Sequence, residues 1–298
     1  MLQRLIWLTL LLAIWASASA SAAPRIVVVR DDTPVARQVA DMLGREFSRL
    51  GWSSGELVVG DRLAADLRHE EGAATVALGF TAVQATRQLG RPTVGALVTR
   101  AAMEESPLPP TERSTVIMLD QPVERWSALI RLAFADRSLV GLLAGPTLQR
   151  SIRTLERKFQ ERGLVLVAET VNSGESIVPT LDRLLPRTRV LLALPDPLVH
   201  NRGTVQPLLL TTYRAGIPVV AYSEAYVNAG ATISLYSTPK QVSEQIIESL
   251  QQLLDGHPAA ALQSPHYFTV GVNRAVARSL GLSLPSDGEL QERLQSTD

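Results

Sequence analysis

Short apolar runs alternate along this chain with segments in which apolar residues recur every three to four positions. Leu139–Ala144 is a continuous apolar run, as expected of a strand buried on both faces of a parallel sheet. Pro239–Leu254 places its valine, isoleucine and leucine residues on one helical face, which predicts an amphipathic helix. The same patterns predict strands at 25–29, 57–59, 75–78, 94–98, 115–119, 139–144, 164–168, 190–194, 219–222 and 232–235. Helices are predicted to begin near residues 34, 81, 122, 148, 175, 199 and 239.

Strands and helices that alternate at this spacing indicate βαβ units and therefore parallel sheets. The units are too numerous for one compact sheet. The proline-rich stretch 101–113 follows the first group, and we expect it to be a surface excursion or a linker. We therefore predict an α/β protein with two Rossmann-like, doubly wound lobes of parallel sheet joined by a hinge. Lobe one is predicted to span 23–120 and lobe two 121–238.

The first residues have the layout of a secretory signal peptide. Arg4 supplies a positive charge, 5–15 is almost wholly apolar, and a run of small residues follows at 16–23. The triplet at 20–22 fits cleavage after Ala22, so 1–22 is the predicted signal peptide. The alternative, a transmembrane anchor, needs about 20 apolar residues, and this run is shorter.

Composition narrows the class of function. The chain has no cysteine, which excludes disulfides, thiolate metal sites, cysteine nucleophiles and a lipid-modified cysteine. A formal net charge of zero argues against a nucleic-acid partner. The four histidines are scattered, and no nucleophile elbow, zinc-protease, P-loop or dinucleotide-binding motif is present. We therefore expect a monomeric, soluble periplasmic protein that is not an enzyme, with no catalytic residue, metal or cofactor.

Ligands of open parallel sheets bind beyond the carboxyl ends of the strands, and that rule nominates positions here. The candidate ligand-binding residues are Thr33, Thr81, Thr147, Asp196, Ser223, Glu224, Tyr226 and Tyr236. Each polar candidate also has a structural interpretation. In that interpretation the three threonines would be ordinary helix caps, Asp196 between two prolines would form a turn, and Ser223 with Glu224 would be a cap followed by an acid.

Several motifs occur in a characteristic order in the second half of the chain. They are 194–196 (Leu-Pro-Asp), 215–224 (Ala-Gly-Ile-Pro-Val-Val-Ala-Tyr-Ser-Glu), 227–231 (Val-Asn-Ala-Gly-Ala), 254–258 (Leu-Asp-Gly-His-Pro) and 280–285 (Leu-Gly-Leu-Ser-Leu-Pro). In this order and spacing the sequence resembles the ABC transporter substrate-binding family of the periplasmic-binding-protein type, linked to amino acids such as tryptophan or tyrosine. The resemblance is good from about residue 139 to residue 285 and weak before it.

The resemblance implies a type I periplasmic-binding fold, in which two lobes close on a small ligand and the chain crosses between them three times. It implies that about 239–260 returns to lobe one and about 265–285 to lobe two, which leaves 286–298 as a C-terminal tail. The chain departs from the family at pocket positions: Pro197 replaces a common asparagine, and Glu224 stands where aspartate is usual.

An amino-acid ligand would need three kinds of contact. Asp196 or Glu224 would pair with the ammonium group. Backbone N–H groups near Thr81 or Thr147 would receive the carboxylate, and Tyr226 or Tyr236 would stack on the side chain. The expected partners are a small-molecule ligand and the membrane permease of an ABC importer. An alternative stays open, in which a protein of the same fold signals its ligand state to a membrane sensor or another envelope partner without transport.

Overall fold

The computed structural model describes residues 23–59, 67, 69–107 and 113–297. The predicted signal peptide, 1–22, lies outside these residues. The described strands are β1 (Arg25–Arg30), β2 (Ser53–Val58), β3 (Ala74–Leu78), β4 (Thr93–Val98), β5 (Ser114–Met118), β6 (Leu139–Ala144), β7 (Val165–Thr170), β8 (Val190–Leu192), β9 (Val219–Ala221), β10 (Ile233–Tyr236), β11 (Leu262–Gln263) and β12 (Thr269–Val272).

The helices in the described ranges begin and end within a few residues of most predicted positions. They are α1 (Pro34–Arg49), α2 (Phe80–Thr86), α3 (Arg100–Glu105), α4 (Val123–Ala133), α5 (Pro146–Gln149), α6 (Ile152–Gln160), α7 (Ile177–Leu184), α8 (Val205–Arg214), α9 (Glu224–Ala229), α10 (Pro239–Leu254), α11 (Arg274–Ser279) and α12 (Asp287–Gln295). α10 coincides with its prediction because Thr238 and Gln241 form a capping box at its start and Pro239 occupies its first turn.

Two six-stranded sheets organise the described chain. One has the order β11-β5-β4-β3-β1-β2 and the other the order β12-β10-β9-β8-β6-β7. All strand pairs are parallel except β10 with β12. In each sheet the first strand lies between the second and the third, which creates the switch point at which doubly wound folds bind ligands. The predicted fold class is therefore confirmed.

Each sheet is covered by helices on both faces. In β1, Ile26 and Val28 pack in a cluster with residues of α1 and α10, whereas Val27 and Val29 pack in a second cluster with residues of α2. Two further clusters flank the other sheet, and none of the four contains residues of both sheets. The molecule therefore has two lobes with separate cores, here called lobe one (the β1 sheet) and lobe two (the β6 sheet).

Three crossover segments, 119–122, 237–238 and 264–268, join the lobes, and together they are called the hinge. Ser237 links all three. Its Oγ accepts a hydrogen bond from Gln121 Nε2 (2.9 Å) and donates one to the Tyr267 carbonyl oxygen (2.6 Å).

Arg125, at the start of α4, braces the hinge from the lobe-two side. Its Nη1 donates to Gln121 Oε1 (2.5 Å) and to the Pro265 carbonyl oxygen (3.0 Å), and its guanidinium lies 4.1 Å from the ring centroid of Phe268. These contacts hold the three crossovers together, while only short extended segments connect the lobe cores.

Two predictions near the lobe boundaries are wrong. α3 (Arg100–Glu105) extends into the stretch 101–113 predicted as a surface excursion or linker; Thr99 caps it, and it buries Met103. The predicted C-terminal tail contains α12, because Leu290 and Leu294 are fully buried in the core of lobe two. In both cases one or two buried side chains anchor a short helix, too few to produce a clear sequence period.

Two element boundaries also differ from the prediction. β2 begins at Ser53 rather than at residue 57, because it is a half-exposed edge strand whose polar residues alternate with partly buried ones. The helix predicted from residue 199 begins only at Val205, since side-chain oxygens of Asp196, Asn201 and Thr204 accept backbone hydrogen bonds that hold 197–204 in turns.

Candidate functional site

A cavity of about 470 Å³ lies between the lobes at the carboxyl ends of their strands. Lobe one and the first crossover contribute Arg100, Glu104 and Asp120, and lobe two contributes Thr147 and Glu224 among others. Lobe two supplies most of its apolar wall, with Trp126, Leu148, Leu155, Leu194 and Leu235, and Val35 of lobe one also lines it. This space is called the Trp126 chamber, after a tryptophan that is only 3 % exposed.

A second cavity of about 340 Å³ adjoins the first and shares Ala101, Thr147, Pro195 and Tyr222 with it. It is called the His200 chamber, and its other lining residues are Thr99, Ala102, Glu105, Asp196, Pro197 and His200. An exposed ion pair, Arg150 to Glu105 (3.4 Å), spans from lobe two to lobe one beside this chamber. The two chambers form one cleft whose walls belong to different lobes.

Asp196 is 2 % exposed, and backbone N–H groups donate hydrogen bonds to its carboxylate. Oδ2 accepts from the Gly145 N–H (3.0 Å), and Oδ1 accepts from the N–H groups of Leu198 (3.0 Å) and Val199 (3.4 Å). A Cβ on Gly145 would lie 2.5 Å from Asp196 Oδ1, so only glycine allows this approach. Asp196 therefore ties the loop after β8 to the start of α5 at the switch point of lobe two.

Lobe one repeats this arrangement with Asp31, which follows β1. Its carboxylate accepts from the N–H groups of Ala82 (2.9 Å) and Thr81 (3.3 Å) at the start of α2. Gly79, with φ of 105°, makes room for it, since a Cβ there would lie 2.4 Å from Asp31 Oδ2. The acid–glycine pair is thus a shared structural device of the two lobes.

The structure places some of the predicted site residues in the cleft and others outside it. The Trp126 chamber is lined by Thr147, Ser223, Glu224 and Tyr236, and the His200 chamber by Thr147 and Asp196. The residues that line neither chamber are Thr33, Thr81 and Tyr226.

The capping interpretation fits two of the candidate hydroxyl residues. Thr33 caps α1 by accepting from the Ala36 N–H (3.3 Å), and Ser223 caps α9 by accepting from the Tyr226 N–H (3.3 Å). Thr147 is not a cap, because Gly145 holds the cap position of α5 and leaves the Thr147 hydroxyl at the cleft. Thr81 is the second residue of α2, after the cap residue Gly79, and its backbone N–H donates to Asp31 of the same lobe.

Tyr226 belongs to a buried aromatic cluster with His200 and Tyr222. Its hydroxyl lies 2.6 Å from His200 Nδ1, and the ring centroids of the three residues are 5.4 to 5.8 Å apart. His200 Nε2 is buried and has no hydrogen-bond partner in the described chain. Burial lowers the pKa of His200 from 6.5 to about 4, and burial with the neighbouring Tyr222 raises the pKa of Tyr226. Both rings are therefore neutral at neutral pH.

The depressed pKa of His200 makes stability depend on pH. Between pH 6.5 and about 4 the unfolded chain binds this proton and the folded protein does not, so stability is lost as the pH falls through that window. We expect a loss of about 2 kcal/mol at pH 5 relative to pH 7. Urea unfolding of the wild type and His200→Gln at both pH values measures it. The fall should shrink in His200→Gln and persist in the exposed control His257→Gln, and an equal fall in all three proteins would contradict the assignment.

Sequence reasoning missed several residues that line the Trp126 chamber. Arg100 and Glu104 lie on α3, most of which falls in the stretch 101–113 predicted to be a surface excursion or a linker, and Asp120 lies in the first crossover. Burial raises the pKa of Asp120, although Oδ2 accepts a hydrogen bond from the Arg100 N–H (2.6 Å). The sequence signal available for Asp120 was its position two residues before Pro122, near which a helix is predicted to begin.

No group of three or more histidine, aspartate or glutamate side chains within the described ranges is placed to hold a metal ion. No helix there combines the length and the apolar character that a membrane span requires.

No protein-family model matches this chain, and no curated protein matches it in sequence. Solved structures do. A ligand-free, open substrate-binding protein with adhesive properties from Clostridium difficile has a TM-score of 0.74 and 14% identity, over 89% of this chain and 97% of that one.

Two ligand-binding relatives of the fold are also similar. An ABC domain in complex with L-Trp from Streptococcus pneumonia has a TM-score of 0.61 and 14% identity, over 90% of this chain and 98% of that one. A periplasmic ribose ABC transporter protein from Conexibacter woesei has a TM-score of 0.60 and 12% identity, over 92% and 100%. The chain therefore has the two-lobed fold of type I periplasmic solute-binding proteins, and the resemblance drawn from the sequence is confirmed at the level of the fold.

Proposed function

We propose that this protein is a periplasmic solute-binding protein that captures a small polar or aromatic metabolite, with amino acids among the candidates, for an ABC importer. The observation that carries the proposal is the Trp126 chamber, because residues of both lobes line it at the ends of their parallel strands. Solved proteins of this fold that bind amino acids or sugars support the same use of the cleft.

The size and lining of the chamber favour a small organic ligand. A volume of about 470 Å³ lies within the range of about 300–1,000 Å³ that small-molecule sites occupy. Apolar side chains form most of the wall, and Thr147, Ser223, Glu224 and Tyr236 supply a few polar groups. Such a lining suits a ligand with an apolar or aromatic body and a polar end.

The contacts of Asp196 bear on which acid we expect to face the ligand. The Asp196 carboxylate already accepts three backbone hydrogen bonds, so its part in the proposed function is to hold the switch-point loops in position. Glu224 takes over as the lobe-two acid that faces the ligand, since it lines the chamber and is exposed. Binding in the cleft is expected whether the protein serves a permease or a membrane sensor.

Calorimetric titration combined with a broad thermal-shift screen tests the proposal. One compound class should bind at one site per protein, raise the midpoint of thermal unfolding and remain chemically unchanged. Trp126 lines the chamber, so binding should alter its fluorescence in a Trp52→Phe background, where Trp52 of lobe one no longer contributes. Turnover of the compound, or a screen without any binder, would overturn the proposal.

A further inference from the structure

The charged side chains that line the Trp126 chamber are unequal in number. Three are acids, Glu104, Asp120 and Glu224, and one is a base, Arg100. None of the three acids forms an ion pair with any residue in the described part of the chain. The charge of Arg100 opposes the rise in the pKa of Asp120, but one base offsets only part of the charge of three acids. The excess negative charge repels itself, and the repulsion grows as water leaves a closing cleft.

The acids approach the chamber from both sides. Asp120 belongs to the first crossover, and its Oδ2 accepts a hydrogen bond from the Arg100 N–H. Glu224 begins α9 on lobe two, and its charge is one of the causes that raise the pKa of Tyr236, after burial. The charge of Glu224 therefore acts on a tyrosine that lines the same chamber.

Apart from Arg100, the cations Arg150, Lys240 and Arg125 are paired or buried outside the chamber. Arg150 pairs with Glu105 beside the His200 chamber, and Lys240 pairs with Glu244 (2.6 Å) on α10. Arg125 is buried, donates a hydrogen bond to Gln121 and does not line the chamber. The N-terminus of α10 is capped by its own residues.

The apolar wall adds to this imbalance. The side chains of Leu155 and Leu235 offer no hydrogen bond to an anion, whereas the aromatic face of Trp126 attracts a cation; the indole N–H of Trp126 is the one donor among these three side chains. A bound cation would relieve the repulsion among the acids and recover part of the cost of their desolvation.

We propose that the ligand is a cation, an amine with an apolar or aromatic body whose ammonium group lies between Asp120 and Glu224. This inference rests on the proposed function and adds the charge of the ligand to it. The His200 chamber, which shares Tyr222 and Thr147 with the Trp126 chamber, would take the part of the ligand that extends from the amine.

A charge series tests the inference directly. Phenethylamine, phenylalanine and 3-phenylpropanoate carry the same ring with net charges of +1, 0 and −1, and tryptamine, tryptophan and indole-3-propionate form a second series. Calorimetry at pH 7 should show each amine binding about tenfold or more tightly than its amino acid, and the acid most weakly. Tighter binding of the acid or the amino acid, or no binding in either series, overturns the inference.

Variants locate the cation. Asp120→Asn and Glu224→Gln should each weaken amine binding about 10- to 100-fold, whereas Glu292→Gln, an exposed site on α12, should not change it. Because Glu224 is exposed, Glu224→Gln tests the claim even if Asp120→Asn does not fold. Arg100→Gln should strengthen amine binding, since it removes the chamber's base, and weaker amine binding in this variant would contradict the inference.

Failure of this inference is distinguishable from failure of the proposed function. If a neutral or anionic compound from the broad screen binds at one site and alters Trp126 fluorescence, the solute-binding proposal stands. The inference that the ligand is a cation is then wrong. If no compound of any charge binds, both are wrong.

Discussion

Replacing Ala225 by tryptophan is expected to weaken ligand binding about 100-fold or more, to the point at which titration no longer detects it. Ala225 is exposed in the first turn of α9 and lines the Trp126 chamber. An indole group there would occupy the space of the ligand and obstruct the approach of the lobes. Since the residue lies at the surface of the cleft, the substitution should leave the lobe cores and the stability unchanged.

The matched control is Ala229→Trp on the same helix. Ala229 is exposed and lines neither chamber, so this variant should bind ligand as the wild type does. Calorimetry on both variants, with urea unfolding to verify that both are folded, makes the comparison. Full affinity in Ala225→Trp would show that the ligand does not enter the Trp126 chamber.

Asp196→Ala is expected to lower the free energy of unfolding by about 4 kcal/mol. The substitution removes a buried carboxylate that accepts three backbone hydrogen bonds, and it leaves the buried Gly145 N–H without its partner. Hydrogen bonds to a charged acceptor contribute more than neutral ones, and an unsatisfied buried donor costs further free energy. Urea unfolding at pH 7 measures the change.

Asp182→Ala is the control, because Asp182 is an exposed acid of lobe two on α7 and its stability effect should be small. The comparison also separates a structural role of Asp196 from a direct ligand contact. A fully stable Asp196→Ala protein that has lost only ligand binding would contradict the structural role assigned here.

The two-lobed fold was predictable because its signals are local and repeated. β6 is a continuous apolar run ended by Gly145 and Pro146, and β1 is buried on both faces in the same way. α10 begins with Thr238, Pro239 and a glutamine at the third position, which fix its start by capping. Such features need no tertiary context.

The elements that the sequence did not predict depend on a few distant contacts. α3 is a six-residue helix with one buried side chain, Met103, and α12 is anchored by Leu290 and Leu294 in a core formed much earlier in the chain. Their patterns are too short to be distinguished from loops. Burial of these side chains in the tertiary structure decides that the two segments are helical.

The candidate site was predicted only in outline. The rule for parallel sheets located Thr147, Ser223, Glu224 and Tyr236 at the cleft. It did not distinguish a cap such as Thr33 from a residue that faces the cavity. It also passed over Asp120, because a hinge acid gains its position from the way in which two lobes meet, which no single strand encodes.

The distance between the lobes, with and without ligand, tests the central claim most directly. The chain has no native cysteine, so Gln38→Cys on α1 and Arg153→Cys on α6, both exposed and on different lobes, would carry the only two spin labels. Double electron–electron resonance then reports the separation. Saturation with the tightest compound from the titrations should shift the distance distribution, as hinge closure requires. An unchanged distribution under saturation would contradict a ligand held between closing lobes.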